Sequence, residues 1–304
     1  MIHIIHYIYL KEAHTLLISK SAFSEPNANK AGYYKVAIKR TAITGLAIKR
    51  TAITRLTVAG EKMSQSKAIA LIIGAGDHLG SAIARRFARE GFHIVATRRR
   101  GDLSQLTQEV EALGSTITAL HSDARDEQQV TELIEQVESE IGPIEVAVFN
   151  VGGNVRFGIT ETSTQVYRKV WEMCAFAGFL VGREVAKKML PRQQGTILFT
   201  GASASLRGNS GFAAFAGGKH ALRALAQSMA RELGPQGIHI AHVIVDGLIE
   251  NEATKEFLPD LYASKGEDGI IQPDDLAEVY WQLHQQPKSA WTFEQDIRPF
   301  AEPW

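Results

Sequence analysis

Cysteine is almost absent: Cys174 is the only one in 304 residues. No intrachain disulfide can form, which fits a chain kept in the reducing cytosol. Metal-type spacing is also missing. The ten histidines are scattered and no Cys/His cluster accompanies them, so no metal site is expected. There is no long hydrophobic run either. The apolar opening MIHIIHYIYL is half of the roughly 20 residues that a bilayer span needs, and it lacks the basic start of a secretory signal. No transmembrane helix and no membrane partner are expected, and a cytoplasmic location is. Net charge is zero, yet unevenly spread: residues 1–62 carry ten Lys/Arg against three Asp/Glu, and the remainder 23 against 30. An acidic larger part argues against nucleic acid as a partner.

What is present begins with a duplication. Residues 37–46 read AIKRTAITGL and residues 47–56 read AIKRTAITRL, differing only at Gly45 and Arg55. Two copies of so short a unit cannot build a solenoid. Met63 then opens MSQSKAIALIIGAG, a normal beginning for a nucleotide-binding domain. Residues 1–62 read as an extension outside the fold and poorly ordered. Either it is an upstream stretch carried into translation, or it is a basic organelle-targeting leader. Residues 63–304 read as one domain.

From Ala68 onward strands and helices alternate. Strands are expected at 68–73, 93–97, 117–121, 144–150, 195–200 and 238–245. Helices are expected at 79–90, near 127–140, at 165–190, at 213–233 and at 274–284. Gly91 and the Gly142-Pro143 pair punctuate them. Such alternation implies right-handed crossovers and a parallel sheet covered on both faces. The expected fold class is therefore α/β, doubly wound and Rossmann-like, with ligands at the carboxyl ends of the strands.

Between the first strand and the first helix lies Gly74-Ala75-Gly76-Asp77-His78-Leu79-Gly80. Glycines let the backbone turn sharply and approach a pyrophosphate, and a helix N-terminus offers it N–H groups. A glycine turn alone often serves geometry only; here the flanking strand and helix support phosphate binding. The second strand ends in Arg98-Arg99-Arg100, with no acid before Asp102. An acid there would bind a ribose 2′-hydroxyl, whereas arginine tolerates a 2′-phosphate, so NADP is favoured over NAD. These arginines also argue against an S-adenosylmethionine methyltransferase.

These features, with His121-Ser122-Asp123-Ala124 and Phe149-Asn150-Val151-Gly152, resemble the short-chain dehydrogenase/reductase family over about residues 66–250. The loop is similar to that family's Gly-x-x-x-Gly-x-Gly. Gly74 and Gly80 match its ends and His78 stands at its middle glycine, so the His78 side chain must point away from the cofactor or cover it. The resemblance implies that Gly74, Gly76, His78, Leu79, Gly80, Arg98, Arg99, Asp123, Ala124, Asn150, Gly152, Lys219 and Gly247 surround NADP. Asp123 would contact the adenine ring, and the Asn150 segment would steady the central sheet.

The resemblance also implies an Asn-Ser-Tyr-Lys set around the nicotinamide. The Lys maps to Lys219. The Tyr maps to Phe215, four residues earlier on the same helix face. The Ser maps to Ala202, with Ser203 one residue late, and the Asn maps near Cys174. A Pro-Gly after the sixth strand reads Asp246-Gly247. Phenylalanine cannot move a proton. Three candidates for that work remain: Ser203 for binding a substrate oxygen, Asp246 as an acid or base if burial raises its pKa, and Lys219 if partly deprotonated. Ser205 follows the same strand and is also within reach in principle. His220 adjoins Lys219, but one helical step turns it about 100° away. Asp246 and both serines are also readable as plain loop residues.

Phe212, Phe215, Phe176, Phe179 and Trp171 suggest an apolar wall over the nicotinamide, and with it a bulky hydrophobic substrate; such a stripe also serves as core. Two functions are open. One is an atypical NADP-dependent oxidoreductase acting on a carbonyl, alcohol or enoyl compound without a tyrosine acid. The other is a catalytically weak NADP-binding sensor or partner regulator. The family resemblance further implies a homodimer or homotetramer packed through the helices around Cys174 and Lys219. The small residues Ala213, Ala216, Gly217, Ala221 and Ala224 would allow close approach.

Overall fold

The computed structural model describes residues 67–257 and 259–302, all within one compact unit. The extension at residues 1–62, with its duplication, lies outside the described residues. Seven strands form one sheet: β1 (Ile69–Ile73), β2 (His93–Arg98), β3 (Thr116–His121), β4 (Ile144–Phe149), β5 (Gly195–Thr200), β6 (Ile238–Val245) and β7 (Glu294–Ile297). Their order is β3-β2-β1-β4-β5-β6-β7 and every pairing is parallel. Chain order reverses between β1 and β4, so a crevice opens there at the carboxyl ends of the strands.

The helices are α1 (Leu79–Arg89), α2 (Ser104–Ala112), α3 (Glu127–Gln136), α4 (Thr164–Trp171), α5 (Ala177–Met189), α6 (Ala213–Leu233), α7 (Glu252–Phe257), α8 (Pro259–Ser264) and α9 (Pro273–His284). The two-residue repeat of a strand sorts side chains between the sheet's faces. Ala70 and Ile72 point to one face, where Ile83 and Phe87 of α1 and Leu276 and Tyr280 of α9 cover them. Leu71 and Ile73 point to the other, under Leu133 of α3, Val181 of α5 and Leu222 of α6. Both layers are buried, as near-continuous apolar strands require.

The structure differs from the sequence reading at several elements, among them the unexpected helices α7 and α8 and a π-helical turn at Val137–Ile141. The expected helix at 165–190 is broken by a π-helical turn at Glu172–Phe176. Such an inserted residue is common beside functional sites. Helix α2 was not anticipated; only Leu106 and Val110 of its nine residues are buried, so its apolar pattern is weak. The aromatic-rich tail adds β7 through the register His242↔Glu294 to Val245↔Ile297. Among the described residues no helix is long and apolar enough to cross a membrane.

Candidate active and cofactor site

The cleft is built from the glycine turn outward. Gly74 sits at φ +86°, where a side chain is strained, and a Cβ there would fall 2.6 Å from the Asn150 carbonyl oxygen. The Gly74 and Ala75 amides both donate to the Thr97 carbonyl, at 2.9 and 2.8 Å. The Asn150 side-chain amide donates to the Gly74 carbonyl at 3.1 Å. A Cβ on Gly80 would lie 2.4 Å from the Gly74 carbonyl oxygen, so the first turn of α1 packs directly on the loop. Gly76 differs: a Cβ there would meet nothing within 4 Å. It faces open cleft.

Two cavities share the wall formed by Gly74, Gly76, Asn150 and Gly152. The smaller, about 250 Å³, extends over Thr97, Arg98, Arg99, Asp123 and Ala124. Ser122 also lines it, and its buried Oγ has no hydrogen-bond partner among the described residues. A buried hydroxyl left unpaired is costly unless a ligand or water meets it. The larger cavity, about 570 Å³, passes His78, Leu79 and Gly80 and reaches Ser203, Phe215 and Lys219. Gly247 lines it too. His78 is exposed and lines its mouth. The open face at Gly76, the orphaned Ser122 hydroxyl and the span of the two cavities fit a dinucleotide.

Lys219 closes the far end. It is 3% exposed, and its Nζ donates to the Thr200 carbonyl at 2.7 Å and the Val151 carbonyl at 3.3 Å. Burial pushes the amine down from its ordinary value, because the charged form loses its hydration. Phe215, one helical turn earlier, lines the cavity with its ring centroid 5.8 Å from that Nζ. Ala202 and Ser203 complete the wall at the start of a short 3-10 turn.

Several sequence candidates lie elsewhere. Asp246 does not line the cavity. Both its oxygens accept from Arg207, at 3.0 and 2.9 Å, and one lies 3.1 Å from Arg298. Its carboxylate oxygens are thereby engaged by guanidiniums and turned away from the cavity. Cys174 is fully buried in the π-helical turn, and a Cβ on Gly218 would lie 2.9 Å from its own Cβ. Its thiol therefore packs against α6 and does not face the cleft. Ser205 is also fully buried.

The expected aromatic wall is largely corrected. Trp171, Phe176 and Phe179 stack in a row at 6.0 and 6.3 Å, and Trp171 and Phe179 are about 40% exposed, away from the cavity. Phe212 packs against the small cluster that includes Val170, Cys174 and Phe215. Only Phe215 of the five lines the cavity. The small face of α6 is partly used within the chain, since a Cβ on Gly217 would meet the Tyr167 hydroxyl at 2.7 Å.

The sequence reading missed a buried polar chain. The Ala202 amide donates to Ser205 Oγ at 3.1 Å, and that Oγ lies 3.4 Å from His242 Nε2. His242 Nδ1 is 3.0 Å from Glu294, which Arg223 holds with two bonds at 2.6 and 2.8 Å. Burial pushes His242 down to about 4, so it is neutral at ordinary pH. No sequence spacing links these residues; the β6–β7 pairing brings them together. Asp77, Arg125 and Asn154 also border the cleft. Of these only Asp77, inside the glycine turn, stood within a quoted motif. Among the described residues no group of three or more His, Cys, Asp or Glu is placed to hold a metal ion.

A family model described as short chain dehydrogenase matches residues 68–261. A crystal structure of a short-chain dehydrogenase from Rhodopseudomonas palustris is 50% identical, covers 77% of this chain and 99% of that one, and superimposes with a TM-score of 0.67. Short chain aldehyde dehydrogenase 1 from Euphorbia lathyris is 26% identical over 60% of this chain, and the match spans 64% of that protein's length. A variant of actinorhodin polyketide ketoreductase, solved with NADPH, has the same fold at 22% identity and a TM-score of 0.72. The match covers 79% of this chain and 99% of that one.

Proposed function

The chain belongs to the short chain dehydrogenase family of oxidoreductases, and we propose that it is an atypical member using NADP(H) on a carbonyl, alcohol or enoyl substrate. The observation that carries this reading is one cleft in which the glycine turn and the buried Lys219 face the same 570 Å³ space. NADPH, when bound, supplies a hydride. The residues around it then have four tasks. The turn at Gly74–Gly80 holds the pyrophosphate, Arg99 and Arg98 meet the 2′-phosphate, and Ser122 pairs with the adenosine end. Lys219 binds ribose hydroxyls and puts positive charge near the reacting end.

Proton delivery is the atypical step. Phe215 has no hydroxyl, Cys174 faces the interior and Asp246 is committed to arginines. Ser203 remains as donor to a substrate oxygen. Lys219 remains as the acid, since burial has made its ammonium a readier proton donor. An enoyl substrate relaxes the demand further, because its proton can arrive from water. With Phe215 and Ile249 on the cavity wall, a hydrophobic substrate fits better than a highly charged one.

We also read the chain as a homodimer or homotetramer packed through α4, α5 and α6, a reading supported by the exposed row of Trp171 and Phe179. The single buried thiol fits the reducing cytosol. The absence of any hydroxyl at position 215 or 202 favours a second reading, a catalytically weak NADP-binding sensor or regulator.

One experiment separates the two. NADPH affinity is measured by fluorescence, and NADPH oxidation is then followed with ketones, aldehydes and enones. Binding with turnover of any class supports the enzyme. Binding with no oxidation across all three supports the sensor. No NADPH binding overturns both.

A further inference from the structure

Arg98 is the residue that a 2′-phosphate would be expected to find, yet it is already engaged. Its Nη1 donates to Asp77 Oδ1 at 2.7 Å and to the Asp102 carbonyl at 3.0 Å. Its Nη2 reaches Asp77 Oδ2 at 3.4 Å, and its Nε donates to the Arg100 carbonyl at 2.6 Å. Four of the five donors of a guanidinium are used. Gly101 permits this fold-back: it sits at φ +92°, and a Cβ there would lie 2.6 Å from Arg98 Nη2. The two carbonyl bonds shape the turn after β2. The bidentate contact is different, because Asp77 stands on the other strand-helix junction, inside the phosphate loop, with its side chain 70% exposed.

Resting on the NADP reading above, we propose that Asp77 is a specificity-determining residue, a carboxylate that occupies Arg98 and must yield it when a 2′-phosphate enters. A phosphate monoester carries about −1.5 to −2 charge and three acceptor oxygens, so it replaces both Asp77 contacts on Arg98. It also meets Arg99, whose side chain is 41% exposed on the same cavity and 3.9 Å from Asp123. The displaced carboxylate then stands one residue from the pyrophosphate-binding Gly76 and repels the incoming charge. Asp77 thereby lowers the preference for NADPH over NADH that Arg98 and Arg99 would otherwise set. A 2′-hydroxyl has neither the charge nor the reach to break the pair, so NADH leaves it intact.

The test is direct binding of NADPH and NADH by calorimetry to the wild type, Asp77→Asn, Arg98→Gln and the double variant. Asp77→Asn is expected to tighten NADPH about fivefold, as befits one exposed charge contact. NADH should stay within about twofold, and the gain should shrink as salt screens it. Arg98→Gln should weaken NADPH and erase the Asp77→Asn gain in the double variant, the sign of coupling through one pair. An unchanged NADPH/NADH ratio in Asp77→Asn would overturn the proposal while leaving cofactor binding standing. Loss of NADH affinity would overturn it too, because Asp77 would then be a ribose acceptor. Failure of every protein to bind either nucleotide, with intact circular dichroism, would sink the cofactor reading and this proposal together.

Discussion

In the half of the cleft that begins at β1, the walls are set by backbone. The Gly74 and Ala75 amides share the Thr97 carbonyl, and a Cβ on Gly74 or Gly80 would collide with main-chain atoms. In the half that begins at β5, the walls are set by side chains. There Lys219 spans two carbonyls, and Ser205, His242, Glu294 and Arg223 hold the Ala202–Ser205 turn from beneath. A backbone-built site tolerates little change of sequence without losing its shape. A side-chain-built site can lose a reactive group and keep its shape. The walls differ in that way: Gly74 and Gly80 shape the turn with His78 between them, while the other half carries Phe215, Ala202 and, behind them, the buried Cys174.

The sharpest way to break the comparison is to add a phenol to the side-chain half. Phe215 lines the cavity 5.8 Å from Lys219 Nζ, so Phe215→Tyr places a phenol at the cavity wall beside a buried cation. A positioned general acid contributes about a hundred- to ten-thousand-fold, and Phe215→Tyr is expected to raise kcat toward that range for a ketone substrate. NADPH affinity should stay within about twofold, since the turn is untouched. If kcat does not rise while the variant folds and binds NADPH, a phenol at position 215 does not reach the substrate oxygen.

How much of this is legible in the residues follows the same division. The spans of β5, β6 and α6 coincide with the expected 195–200, 238–245 and 213–233, because buried apolar runs and small-residue helices announce themselves. The sequence Glu-Gln-Asp-Ile of β7 does not; only its pairing with β6 makes it a strand, and β propensity yields to such context. The glycine turn is readable because its demand falls on the backbone, which a glycine records. Side-chain direction is not. Asp246 reads as a proton donor until Arg207 and Arg298 are placed around it. Trp171, Phe176 and Phe179 read as a pocket wall until the π-helical turn among them sets their outward-facing row.

The two halves should also answer differently to acid. His242 is fully buried against Glu294, with Ser205, Lys219 and Arg223 nearby. Its folded value of about 4 lies below the ordinary 6.5. Between those values the unfolded chain binds a proton that the folded chain refuses, so stability is lost as pH falls from 6.5 toward 4. At about 1.4 kcal/mol per unit, this one residue accounts for about 3 kcal/mol. His242→Asn is expected to be less stable at pH 7 but to show a flatter decline toward acid, read by denaturant melts across that range. The difference between the two curves isolates His242 from the carboxylates. Identical slopes would mean that the imidazole takes up its proton in the fold, and that the reaction half is no more acid-sensitive than the glycine turn.

The smallest expected effect concerns Ser203. The residue lines the cavity beyond β5 and takes no part in the buried chain of Ser205, His242 and Glu294. If it donates to a substrate oxygen, Ser203→Ala removes one neutral hydrogen bond, worth about 1 kcal/mol, or about fivefold. The loss should fall on kcat/KM for a ketone or aldehyde and vanish for a substrate with no oxygen at the reacting carbon. NADPH affinity and the melting temperature should not move, because the Ala202 amide keeps its bond to Ser205 Oγ. A drop in NADPH affinity instead would place Ser203 with the backbone-built half.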